Sequence, residues 1–205
     1  RGWWEWARGE GRFWGELLGR AEVRWFLVAN SLWTAAVDGI RPYIFIFALV
    51  VLGITVAQAS LVLLFLFAGL GVGSVLVGFL GDRFGRRRVL MASSLLTTVS
   101  LAFGIFIDSV GTAILLLVPA GLSAAALGVL PYPVFAELAD GSKLGRSTGV
   151  FRFSVGFARL LAPLFVGAAI DHGAALFPEQ AGYPMMWPAA AVFALCSVGA
   201  LWKIR

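Results

Sequence analysis

The sequence predicts an all-α, polytopic membrane protein of six transmembrane helices, built as two inverted three-helix repeats. Three observations carry this expectation. The 205 residues are 60% apolar and only 13% charged, with a mean hydropathy of +0.91. A soluble domain is about 45–50% apolar and about 25% charged, so a surface this short of polar groups must face lipid. Six apolar runs are long enough to cross a bilayer, and two separate motifs recur at one offset of 89 residues. The composition excludes disorder, collagen and coiled coil. A single cysteine excludes a disulfide framework and a Cys-based zinc site.

Residues 1–24 form a lead-in. They hold Arg1, Arg8, Arg12, Arg20 and Arg24 among Trp3, Trp4, Trp6, Phe13 and Trp14. They lack the apolar core and small-residue cleavage site of a signal peptide. The mixture reads as an interfacial segment lying on the inner leaflet. The chain begins with Arg rather than Met, so a longer parent protein is expected.

The six runs are 25–51, 57–80, 89–107, 111–134, 148–170 and 185–202. Each approaches or exceeds the roughly 20 residues that a membrane helix needs. Spanning strands would be about 10 residues long with strict alternation, a pattern these runs lack. Thr55-Val-Ala-Gln58 is a capping box that starts the second span. Asp108 to Thr112 separates the third and fourth spans, Ala139 to Arg146 the fourth and fifth, and a Pro/Gly-containing loop over 172–184 the last two. Trp25, Trp187 and Trp202 fall at span ends, where indoles prefer the headgroup region.

Thirteen of the sixteen Lys and Arg residues fall on one side: the five of the lead-in, then Arg83, Arg86, Arg87, Arg88, Lys143, Arg146, Lys203 and Arg205. The loops on the other side carry none. Both termini are therefore expected in the cytoplasm, in a cell or inner membrane. The net charge of +5 is a matter of topology, and no nucleic-acid partner is expected.

The repeat pairs Ala35-Ala-Val-Asp-Gly-Ile-Arg-Pro-Tyr43 with Ala124-Ala-Ala-Leu-Gly-Val-Leu-Pro-Tyr132. It also pairs Gly78 and Asp82 with Gly167 and Asp171. The unit is three spans, 25–107 and 108–205. Because three is odd, the copies lie inverted in the membrane, a plan used by transporters with a site near the midplane. The shared Pro bends each helix, and bent helices can line a cavity, which places Tyr132 on a candidate pathway. The repeat does not share Asp38, which pairs with Leu127, or Arg41, which pairs with Leu130. Unshared charges are the better candidates for function.

The loop after the second span reads Gly78-Phe-Leu-Gly-Asp82-Arg83-Phe-Gly85-Arg86-Arg87-Arg88. It resembles the signature loop of the major facilitator superfamily, G-x-L-x-D-R-x-G-R-[RK], in residues and in position. The resemblance covers residues 20–205. It implies one six-helix half of a twelve-span transporter. Arg12-Phe-Trp-Gly-Glu-Leu-Leu-Gly-Arg20 resembles the linker into the seventh helix, which implies the C-terminal half. The resemblance further implies that Gly78, Asp82, Arg83, Gly85 and Arg86 latch one state of alternating access against the other half. Physically, Gly78 permits close approach of a neighbouring helix. Asp82 can pair with Arg86 or receive the positive N-terminus of a facing helix.

An ionisable residue inside a span is a functional hypothesis by default. Asn30, Thr34, Asp38 and Arg41 share one helix face, which the resemblance turns toward the central cavity. Asp38 is expected to act in ion coupling or substrate binding, and Arg41 in binding or in poising Asp38. The alternative is a buried ion pair that fixes helix register. Arg152 lies near the inner end of the fifth span and can snorkel. Arg159 lies at mid-span, where it suits an acid of the other half or an anionic substrate group. Gly69, Gly73, Ser74 and Gly78 read as packing positions, Cys196 as a packing residue, and Glu137 and Asp140 as solvated.

Gly145-Arg-Ser147-Thr-Gly149 fits a nucleophile elbow in letters only. It opens a membrane helix, and the single histidine, His172, is expected on the opposite side. No metal or cofactor motif occurs, and no enzyme activity is expected. The expected function is transport of a small organic solute with H+ or Na+. The alternative is a transporter-like scaffold, receptor or pigment/lipid-delivery factor.

Overall fold

The computed structural model describes residues 13–139 and 144–204. Among them there is no strand, and six helices are long and apolar enough to span a membrane. The expected all-α membrane architecture is therefore found. Arg1, Arg8, Arg12, Trp3, Trp4, Trp6, Asp140, Lys143 and Arg205 lie outside the described residues.

A short helix over 13–19 precedes the spans. Phe13 and Leu17, one turn apart, are both buried in a cluster with Phe135, Phe151 and Leu201. In the described part of this segment Phe13 and Leu17 are thus covered by protein, while Trp14 and Leu18 stay exposed. Trp14 sets its ring edge against Phe153 at 6.3 Å.

The first span is α1, Ala21–Val50, with Pro42 inside it. Gly53, at φ 59°, turns the chain. Thr55 and Gln58 then form the expected capping box at the start of α2, Val56–Phe84. α2 ends at Gly85, whose φ of 89° is a conformation that L side chains rarely adopt. The chain passes directly into α3, Arg86–Phe103. Ser109 and Thr112 form a second capping box at the start of α4, Val110–Val129. Pro131 then opens α5, Pro131–Leu138, and the two helices make one bent span, Val110–Leu138. The fifth span is α6, Leu144–Gly173, with Pro163 inside it. Two 3-10 turns, Pro178–Gln180 and Tyr183–Met185, lead into α7, Met186–Trp202.

The spans pack as a row. α1 lies between α6 and α7, α7 meets α3, α3 meets α4, and α4 meets α2. Two apolar clusters hold the row. One lies toward the end carrying Phe13 and Ile204 and contains Phe26, Trp33, Leu90, Phe135 and Phe151. The other lies toward the opposite end and contains Phe47, Ile107, Leu117, Val166 and Trp187. Phe67, Val75, Phe79, Leu115, Leu160 and Leu164 are exposed, as lipid-facing residues must be.

Three expectations about packing need correction. Gly69 and Gly73 do bring α2 against α4: a methyl on either would lie 2.8 Å from Val118 or Ala125. Gly78, one turn further, meets nothing within 4 Å, and Ser74 is exposed with its hydroxyl on the Leu70 carbonyl at 2.8 Å. The packed face runs through Gly69, Gly73, Val77 and Gly81, all buried, and Ser74 and Gly78 stand one residue off it. Trp187 does not turn outward as an anchor but is 3% exposed. Its indole fills the space left by Gly104, where a methyl would lie 2.6 Å from the ring, and meets Phe47 edge-on at 5.4 Å. Cys196 likewise is exposed and does not pack.

Candidate charge site at mid-span

α1 and α6 both start from the end of the bundle that carries Phe13 and Ile204, so they run side by side in the same direction. Each has 30 residues, and Asp38 and Arg159 fall near their middles. The structure joins them. Arg159 donates from Nε to Asp38 Oδ2 at 2.7 Å, and Arg41 forms an ion pair with the same carboxylate, Nη2 standing 2.9 Å from Asp38 Oδ1. One carboxylate thus holds two guanidiniums, one from each helix. The Asp38 side chain is 11% exposed, whereas those of Arg159 and Arg41 are 59% and 70% exposed. The acid sits at the back and the arginines at the mouth of a cavity of about 350 Å³ lined by Asp38, Arg41, Pro42 and Arg159.

Backbone chemistry sharpens the site. Proline has no N–H to give to the carbonyl four residues before it. Pro42 therefore leaves the Asp38 carbonyl without its helical donor, and Pro163 does the same to Arg159. Each paired residue stands one turn before the bend of its own helix. Tyr43 adds a tie by donating its hydroxyl to the Pro163 carbonyl at 2.8 Å. Gly167 makes room for it, since a methyl there would lie 2.5 Å from the Tyr43 oxygen.

The rest of the polar stripe on α1 is covered. Asn30 is 1% exposed with Nδ2 unpartnered, and Thr34 is also buried. Both share the face of Asp38 but lie where neighbouring helices close over it. Tyr132 stands apart from the charge site: its hydroxyl lies 3.1 Å from Thr148 Oγ1 and its ring meets Phe151. Arg152 is exposed and makes no ion pair among the described residues.

A second cluster forms where α2 turns into α3. A cavity of about 550 Å³ there is lined by Asp82, Gly85, Arg86, Arg87, Arg88 and Glu137, among others. Arg86 pairs with Glu137 of α5, not with Asp82. Glu137 is therefore a partner, against the expectation of a merely solvated side chain. Asp82 is exposed and makes no ion pair among the described residues. Arg83 lies over the Phe84 ring at 5.5 Å.

Sequence reasoning placed Asp38 and Arg41 together and put Arg159 at the same depth, but it left Arg159 without Asp38. A signal was present: Asp38 is the only acid well inside a span, and Asp38 and Arg159 both stand four residues before a proline. The nucleophile-elbow letters come to nothing here. Ser147 is buried in the first turn of α6. His172, with Nδ1 2.7 Å from the Ala168 carbonyl, is roughly 37 Å further along that helix.

Comparison with known proteins returns a family model described as Major Facilitator Superfamily, matching residues 25–205. No curated protein matches the chain.

Proposed function

The chain belongs to the major facilitator superfamily, a family of integral membrane transporters of small molecules, and from that premise we propose that it forms one half of a secondary transporter. It moves a small organic solute by alternating access, with a second six-helix half completing the pathway. The lead-in supports the C-terminal position for this half. Movement of the solute is coupled to H+ or Na+ through Asp38, with Arg41 and Arg159 as its partners. The observation that carries this reading is a mid-span carboxylate held between guanidiniums of two different helices, at the mouth of a cavity. A charge at mid-span costs several kcal/mol by common scales, and a residue kept at that cost is a functional candidate by default.

The two three-helix units, 25–107 and 108–205, act as inverted repeats. The packing row supports this: exchanging the first, second and third spans with the fourth, fifth and sixth returns the same row read backwards. The basic turn over 83–88 and both ends of the chain lie in the cytoplasm, as the distribution of arginines favours. The latch comprises Gly78, Asp82, Arg83, Gly85 and Arg86, with Glu137 as partner of Arg86. Asp82, exposed and unpaired within the described residues, engages the other half.

The test is uptake by the intact protein in proteoliposomes under an imposed proton or sodium gradient. Asp38→Asn should abolish gradient-driven accumulation while solute exchange persists. Unchanged accumulation in that variant would remove the coupling role.

A further inference from the structure

Resting on the reading of Asp38 as the coupling group, we infer that this site carries an organic monoanion together with a proton, in symport. Charge balance is the first argument. Two guanidiniums surround one carboxylate, and among the described residues no second acid pairs with either of them. On α1 the other charged groups are Glu22 and Arg24 in its opening turn. α6 contributes Arg159, with Arg152 two turns and Arg146 more than three turns toward its start, and Asp171 and His172 more than three turns beyond it in its last turn. α7 has no charged side chain over Met186–Trp202. α2 has only Asp82 and Arg83, at its far end, α4 has none, and α5 has only Glu137. Tyr43 is committed to the Pro163 carbonyl. An uncompensated cation in a low-dielectric cavity attracts an anion of matching charge.

Geometry is the second argument. Arg159 spends only Nε on Asp38. Its Nη1 and Nη2 have no partner among the described residues. Arg41 spends only Nη2. The free guanidinium edges stand at the cavity mouth, and their planar pairs of donors match a carboxylate in two-point contact. The cavity of about 350 Å³ suits a small molecule.

The sign of coupling follows from competition. Asp38 and a bound anion share the charge of the same two guanidiniums, through different edges of each. A proton on Asp38 cancels its charge and releases the guanidiniums to the anion. By linkage the anion then strengthens proton binding at Asp38 by the same factor. Proton and anion bind together, which is symport; antiport needs the opposite sign. Sodium fits poorly, because a guanidinium nitrogen already lies within 3 Å of each Asp38 oxygen, at 2.7 and 2.9 Å. A sodium ion there would face two cations, whereas a proton needs one oxygen.

The test is calorimetric binding to the purified intact protein at pH 6 and pH 8, in two buffers of different ionisation enthalpy. Lactate, benzoate and gluconate serve as monoanions, with glucose and choline as neutral and cationic controls. At least one monoanion should bind more tightly at pH 6, by up to about tenfold per pH unit, with uptake approaching one proton. Asp38→Asn should bind that monoanion at both pH values, at least as tightly as the wild type at pH 6, with no proton uptake. Arg159→Gln should weaken it by tenfold or more. Binding of glucose or choline but no monoanion, monoanion affinity that rises with pH, or sodium-dependent binding in the wild type would each overturn the inference without any variant. PH-linked monoanion binding without flux in proteoliposomes would uphold the substrate class and remove the transport role. Gradient-driven flux of glucose insensitive to Arg159→Gln would do the reverse.

Discussion

Asp38 pairs with Arg41 on its own helix and accepts from Arg159 on the neighbouring one, and the two contacts respond differently to motion. The contact to Arg41 spans three residues of α1 and survives any displacement of that helix as a body. The contact to Arg159 exists only while α1 and α6 keep their present register. Charge state and helix position are therefore joined at one carboxylate. The Arg86–Glu137 pair is a different case, since its side chains are 40% and 60% exposed. Exposed pairs contribute about 0–1 kcal/mol. Glu137→Gln should therefore leave the melting temperature nearly unchanged while altering turnover severalfold, if the pair belongs to the latch; thermal melts and initial rates measure both. Asp38 was legible in the sequence because an acid inside an apolar run has no bland explanation. Its partnership with Arg159 was not, because helical periodicity assigns a residue to a face and is silent about which neighbour covers that face.

At the scale of elements, helix ends and bends follow local chemistry closely. Thr55/Gln58 caps α2 as its letters indicate, and Ser109/Thr112 does the same for α4. Prolines at 42, 131 and 163 lie inside or at the start of helices whose bends shape the cavity and the fourth span. The tie from Tyr43 to the Pro163 carbonyl depends on Gly167 having no side chain. Gly167→Ala should break that bond and destabilise the protein by about 1–3 kcal/mol through overpacking. Tyr43→Phe alone should cost about 0.5–1.5 kcal/mol. The double variant should cost less than the sum, because the oxygen that clashes is the one removed; chemical denaturation of all three checks this. Trp187 shows why such contacts elude the sequence. A tryptophan at a span end reads as an interfacial anchor, and only the space beside Gly104, 83 residues away in the chain, makes it a core residue.

For the whole molecule, the six apolar runs were legible because hydrocarbon thickness and backbone hydrogen bonding leave few alternatives. The order of the row was not legible, since it depends on which small residues meet across helices, such as Gly69 and Gly73 against α4. The orientation is testable with Cys196 first replaced by Ala. A cysteine at Arg88 should be labelled by a membrane-impermeant thiol reagent only from the cytoplasmic side, and one at Ser109 only from the other; the reverse pattern would invert the topology. The central claim is that Asp38 sets one proton against one monoanion, and charge bookkeeping makes that claim quantitative, since the two together carry no net charge. The most direct measurement is the steady-state accumulation ratio of the bound monoanion in proteoliposomes, as pH gradient and membrane potential are varied separately. The account predicts a ratio that in the wild type follows the pH gradient with slope one and ignores voltage, and that loses its dependence on the pH gradient in Asp38→Asn; voltage-driven accumulation in the wild type, or a pH slope that survives in the variant, would contradict it.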